Sequence, residues 1–208
     1  AKNWSNPRFT YSVLEKPINA VAFEGIKTVE PYTSNEIIID DQDEGFSIVS
    51  IKKDRSRIFG ENKSNIREGI TGFSELFKRL NTWTRLYFPR SYGKYRNSLI
   101  VKNKGKGSSY ASWKTVIPED GIYDTYIFIY DYTANRRIMG ERIGSIFYVT
   151  VISSREEKNI EIKTSQNMEG WHYLGEFEYK KGETAEIRLS DKCDEIVIAD
   201  AVKWIPAN

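Results

Sequence analysis

Gly170-Trp171-His172-Tyr173-Leu174-Gly175-Glu176-Phe177 is the stretch on which the reading of this chain turns. A strand-like run opens on Gly-Trp and passes through Leu-Gly-x-Phe. It reaches a Lys-Gly turn at 181–182, and the alternating run TAEIRLSD follows at 184–191. Next comes Ile196-Val197-Ile198-Ala199-Asp200-Ala201-Val202-Lys203-Trp204. Apolar and polar residues that alternate mark half-buried strands. A lysine-glycine pair between two such runs is turn chemistry.

The same grammar extends upstream. Strands are expected at 109–117, 122–131, 144–152, 159–164, 172–179 and 184–190, with a closing run at 195–205. Pro118-Glu119-Asp120-Gly121 and Lys180-Lys181-Gly182-Glu183 supply turns between them. Leu99-Ile100-Val101 reads as a further strand, and 102–109, with Gly105 and Gly107, as a turn. The mixed aromatic and ionic segment 131–142 and the charged segment 153–158 read as loops at the ends of the fold. Many strands divided by polar turns, with no helices alternating between them, indicate an antiparallel sandwich.

The first half is less regular. Pro7, Pro17 and Pro31 interrupt short apolar runs, so 1–35 reads as an arm or linker from a preceding domain, or as a strand pair completing the sandwich. Ile37-Ile38-Ile39 is a short buried strand that runs into Asp40, Asp41, Asp43 and Glu44. Such a cluster is either a solvated acidic turn or a site for a hard cation, and the spacing of an EF-hand is absent. Residues 52–64 read as a polar loop. Ile66, Ile70, Phe73, Phe77 and Leu80 follow at helical spacing, which predicts a helix within 66–83, weakened by Gly69 and Gly72. Residues 52–90 are therefore expected to be a helical insertion in a sandwich spanning 36–208.

Taken together, these motifs resemble the golvesin C-terminal-like domain, also labelled xanthan-lyase-like. The resemblance is carried by Ala111-Ser112-Trp113, Gly121-Ile122-Tyr123-Asp124-Thr125-Tyr126, Tyr148-Val149-Thr150-Val151, the run 170–177, Leu189-Ser190-Asp191 and 199–204. Tyr92-Gly93-Lys94-Tyr95 resembles a segment of Bacteroidetes-type relatives. The resemblance implies an all-β fold, mainly an antiparallel jelly-roll β-sandwich similar to galactose-binding and carbohydrate modules. It also implies a secreted, periplasmic or cell-surface bacterial protein in which this domain is a non-catalytic accessory.

Composition limits the alternatives. The chain has 208 residues, enough for one substantial core. Its 31 basic and 29 acidic residues are interleaved, which argues against a nucleic-acid binder. A single cysteine, Cys193, rules out an internal disulfide and a cysteine-based zinc site. No apolar run is long enough to span a membrane. No signal peptide is visible, and the start at Ala1 suggests a processed protein or a fragment of a longer one. His172 is the one histidine and reads as an ordinary strand residue; no Gly-x-Ser-x-Gly elbow accompanies it, and Cys193 shows no sign of activation. An enzyme is not expected.

Binding candidates follow from chemistry. A flat aromatic ring beside hydrogen-bonding groups suits the apolar face and polar edge of a sugar. Trp113, Trp171 and Trp204 match framework positions and are expected in the core. Loop aromatics remain: Trp83, Tyr87, Tyr92, Tyr95 and Tyr132, with Arg136 nearby, are the candidates for a glycan or polysaccharide groove. The alternative is that Trp83 and Tyr87 bury the inserted helix, and that the domain packs on a neighbouring domain of a larger protein. Asp40, Asp41 and Asp200 are the candidates for a structural Ca2+, held as carbohydrate modules of this fold hold one between first and last strands. A hydrogen-bond network around Asp200 is the competing expectation. No other cofactor is expected.

Overall fold

The structure is a computed structural model that describes residues 35–53, 59–68, 80–87, 91–93, 97–130, 137–138, 141–142, 145–164 and 170–207. These residues form strands and turns. In chain order the strands are β1 (Ile37–Ile39), β2 (Phe46–Lys53), β3 (Phe59–Ser64), β4 (Arg67–Glu68), β5 (Thr84–Tyr87) and β6 (Ser98–Lys102). There follow β7 (Ser109–Val116), β8 (Gly121–Ile129), β9 (Arg137–Ile138), β10 (Glu141–Arg142) and β11 (Ile146–Ile152). The last are β12 (Glu157–Lys163), β13 (Gly170–Tyr179), β14 (Thr184–Cys193), β15 (Val197–Ala199) and β16 (Val202–Pro206).

Three sheets build the body. One runs β1-β16-β8-β13, the largest runs β12-β11-β14-β7-β2-β3, and the third runs β15-β6-β5-β4. The pairs are antiparallel except β4 with β5. Alternation explains the layering. In β8, Tyr123, Thr125, Ile127 and Ile129 are buried while the residues between them are not. In β11 the same holds for Phe147, Val149 and Val151. These faces meet in one core around Trp113 and Trp204, both 0% exposed. Removing a tryptophan side chain of about 200 Å² from water is worth roughly 5 kcal/mol at about 25 cal/mol per Å². Both tryptophans thus lie where the motif reading placed them.

Residues Ser34–Asn208 make up one compact unit. The expected strands from 109 to 190 are present within a few residues of their predicted ends. The turn at 180–183 closes as its chemistry requires. Gly182 takes φ +80°, the left-handed region open to glycine, and donates its amide to the Ile117 carbonyl at 2.8 Å.

The expected single strand over 195–205 divides at Asp200-Ala201. Residues before the break belong to β15 in the third sheet, and residues after it to β16 in the first. The Trp113 indole donates to the Asp200 carbonyl at 3.3 Å, and the Phe128 amide donates to the Ala201 carbonyl at 2.8 Å. These bonds hold the corner.

Between 52 and 64 the expected loop holds the end of β2 and all of β3, which pairs with β2 at the sheet edge. The described residues contain no helix, and most of the expected one, 69–79, lies outside them. The arm expected at 1–35 also lies outside them except for residue 35. Among the described residues no helix is long and apolar enough to cross a membrane.

Candidate functional site

The outward face of the sheet β1-β16-β8-β13 gathers aromatic side chains. Its key is a bulge in β13. Tyr173 pairs with Tyr126, yet Gly175 pairs with Thr125, so Leu174 is the extra residue. Gly175 has φ +133°, a backbone that a side chain would strain. The bulge reverses the phase of the strand. Phe177 and Tyr179, beyond it, point into the core at 1% exposure each, whereas Trp171 and Tyr173, before it, stand opposite Phe128 and Tyr126 on the outer face. Trp171 is therefore a partly exposed residue of this face, not a core residue as the motif reading expects.

Two aromatic groups result. Trp171 meets Phe128 edge-on with ring centroids 5.3 Å apart at 80°. Tyr92 packs on both, 5.3 Å from Trp171 and 5.8 Å from Phe128. Tyr126 and Tyr173 form the second group at 5.3 Å. Lys203 lies between the groups, with its ammonium 4.6 Å from the Trp171 ring centroid and 5.1 Å from that of Tyr126. It also pairs with Glu36 at 2.7 Å. Edge-on pairs of this kind contribute about 0.5–1.5 kcal/mol beyond area burial, and they fix ring orientation. Tyr173 is 53% exposed. Partial desolvation, and then the nearby Asp124 and Glu176 carboxylates, push its phenol up to about 12.

Of the expected groove residues, the structure brings Tyr92 to this face. Trp83 is 3% exposed, donates its indole N–H to Ser109 Oγ at 3.0 Å and lies beneath Lys102, 5.9 Å from the ring. It offers no face to a sugar, because its ring fills the core beside Leu80. Tyr87 is half-buried on β5 and donates to Glu68 at 3.4 Å. Tyr95, Tyr132 and Arg136 lie outside the described residues. Tyr126 and Phe128 lie on a strand where alternation sends every second residue outward without saying which set it is, and Trp171 and Tyr173 are hidden by the bulge.

Asp40, Asp41 and Asp200 are all buried, at 0%, 1% and 0% exposure. Asp41 already has its counter-charge. Arg85 Nε meets its carboxylate at 2.9 Å, and the Ser98 hydroxyl donates to it at 2.8 Å. Asp40 accepts from the Asp41 amide at 2.7 Å. Asp200 accepts from the Tyr92 amide at 3.1 Å through Oδ2, while Oδ1 has no hydrogen-bond partner. Burial above all, then the charges of Asp40 and Asp41, raise the Asp200 carboxyl well above the usual range. Among the described residues no three His, Cys, Asp or Glu side chains are grouped so as to hold a metal ion.

His172 is half-buried in β13 opposite Ile127. Cys193 places its Sγ 3.1 Å from the Ile146 carbonyl, and burial pushes the thiol up to about 12. That is the reverse of an activated nucleophile.

An all-β sandwich with one aromatic outer face defines the class. The family model of the golvesin C-terminal domain matches residues 74–206, more than half of the sequence, and the chain belongs to that family. Among solved structures it is similar to a Paenibacillus xanthan lyase, with a TM-score of 0.56 and 21% identity, over 83% of this chain and 13% of that one. The chain thus spans about an eighth of the lyase, and the likeness is one of fold. Two weaker likenesses are a Podospora anserina GH26-CBM35 β-(1,4)-mannanase (TM-score 0.40, 12% identity, 62% of this chain and 26% of that) and a family 35 carbohydrate binding module from Clostridium thermocellum (TM-score 0.39, 10% identity, 78% and 98%). No curated protein matches by sequence.

Proposed function

We propose that this domain is a non-catalytic, extracytoplasmic module of a larger protein, and that it binds carbohydrate on the outer face of the sheet β1-β16-β8-β13. The observation that carries the reading is the pair of outward aromatic groups, Trp171 with Phe128 and Tyr173 with Tyr126, beside the carboxylates of Asp124 and Glu176. Aromatic surface supplies the contact for the sugar ring, and flanking acceptors orient its hydroxyls. The rings are held by one another and by Lys203, so little order has to be created on binding.

A glycan and polysaccharide panel, titrated by tryptophan fluorescence and calorimetry, tests the reading. Saturable binding is expected, weakened about tenfold or more in Tyr173→Ala. Val116→Ser, which alters an exposed residue of the other sheet, should leave it intact. Binding should persist in EDTA, because Arg85 already neutralises Asp41.

A second reading is favoured by the 48% exposure of Ile122 on the same face as Tyr173. On that reading the face packs against a neighbouring domain of the parent protein. A folded protein that binds no glycan, but binds its neighbouring domain through this face, would establish it.

A further inference from the structure

Asp124 on β8 and Glu176 on β13 are directly paired across the two strands. Like charges at such positions repel, and most sheets avoid them. The other neighbour of Asp124 is Ile205 on β16, which offers no counter-charge. Among the described residues the cations around the face are engaged elsewhere. Lys203 is paired with Glu36, and Arg155 with Glu178. Lys158 approaches the bulge at Gly175 and lies over the ring of Phe177, 5.3 Å from its centroid. Lys180 and Lys181 lie past the end of β13, in the turn. A local rule broken without local compensation is most often found where function requires it. Here the two carboxylates border the most exposed ring of the face, since the pair Glu176–Asp124 follows the pair Tyr173–Tyr126 along the same two strands.

We infer that the Asp124–Glu176 pair makes this face selective for neutral, hydroxyl-rich glycans and against polyuronates, an inference that rests on the carbohydrate-binding reading above. Carboxylates are acceptors only. Sugar hydroxyls can donate to them, whereas an incoming uronate brings a third negative charge to a site that already holds two. The pair thus acts as the repulsive element of a specificity filter, while the aromatic rings supply contact common to both kinds of glycan.

The test compares wild-type protein with an Asp124→Asn/Glu176→Gln double variant. Both are titrated with a neutral polymer such as galactomannan and with polygalacturonate, at low salt and at about 0.5 M salt. Wild-type protein should bind the neutral polymer and reject the polyuronate. The double variant removes the like-charge pair and should be at least as stable to heat. Its affinity for polygalacturonate should rise about fivefold or more at low salt, with the gain shrinking at high salt. Wild-type binding of polygalacturonate as tight as that of galactomannan, or a double variant with an unchanged preference, would overturn this inference alone. Binding of neither polymer class by the folded wild-type protein would overturn the carbohydrate reading together with it.

Discussion

The main-chain amide of Tyr92 donates to the carboxyl of Asp200 at 3.1 Å, joining residues 108 positions apart in sequence. The bond links the inner corner between β15 and β16 to the ring that packs on Trp171 and Phe128. Because burial raises the Asp200 carboxyl well above its ordinary value, the folded protein holds this proton more tightly than the unfolded chain does. The contribution to stability is therefore complete below the unfolded carboxylate pKa. It is lost as pH rises from there through the raised folded value. Asp200→Asn keeps an acceptor for Tyr92 and removes the titration. In melts from about pH 4 to about pH 8, its Tm relative to wild type should climb with pH. A gap that stays constant over that range would show that Asp200 does not carry the proton.

Asp191 gives a contrasting case of a buried acid that is fully partnered. It is 0% exposed, accepts from the Gly107 amide at 2.7 Å and the Ser109 hydroxyl at 2.8 Å, and pairs with Lys102. Asp191→Ala would leave the Lys102 cation, itself 13% exposed, without its partner. Urea unfolding should show a loss of about 3–5 kcal/mol, with most of it recovered in Lys102→Met/Asp191→Leu, where neither charge remains. A loss below about 1 kcal/mol in the single variant would mean that the pair has little structural role.

The two acids also show what sequence can and cannot convey. Leu189-Ser190-Asp191 was legible as a motif, but the partners of Asp191 lie at the end of β6, in the turn after it and at the start of β7, a relation fixed only by folding. Strands such as β8 and β11 were legible because alternation is local: each residue's face follows from its neighbour's. The bulge at Leu174-Gly175 breaks that inference. Trp171 and Phe177 are both odd-numbered, so unbroken alternation would put them on one side, yet one faces out and the other is core. The corner at Asp200-Ala201 was hidden for a related reason. An apolar run continues across it, and nothing local marks where one sheet ends and another begins. The aromatic face was illegible as a unit, since its members come from 92, 126–128, 171–173 and 203.

Cys193 should be chemically quiet in the folded protein. Burial, followed by the influence of Asp194, pushes its thiol up to about 12, so almost no thiolate is present near neutrality. Labelling with a thiol-specific disulfide reagent at mildly alkaline pH should be at least about a hundredfold slower in the native protein than in urea. Equal rates would show that the thiol is accessible and ionised in the folded state.

Trp204 and Trp171 offer the sharpest test of the bulge. Trp204 is 0% exposed within the core, so Trp204→Ala should cost about 3–5 kcal/mol in chemical denaturation. Trp171 touches Tyr92, Phe128 and Lys203 but is open to solvent on its outer side, so Trp171→Ala should cost about 1–2 kcal/mol. A double-mutant cycle with Tyr92→Ala should return a coupling of about 0.5–1.5 kcal/mol, the worth of one edge-on pair. Equal costs at the two tryptophans would put Trp171 back in the core and undo the phase reversal at Gly175. The predicted inequality, by contrast, would mean that one extra residue in a strand has converted a core position into a position on the outer face.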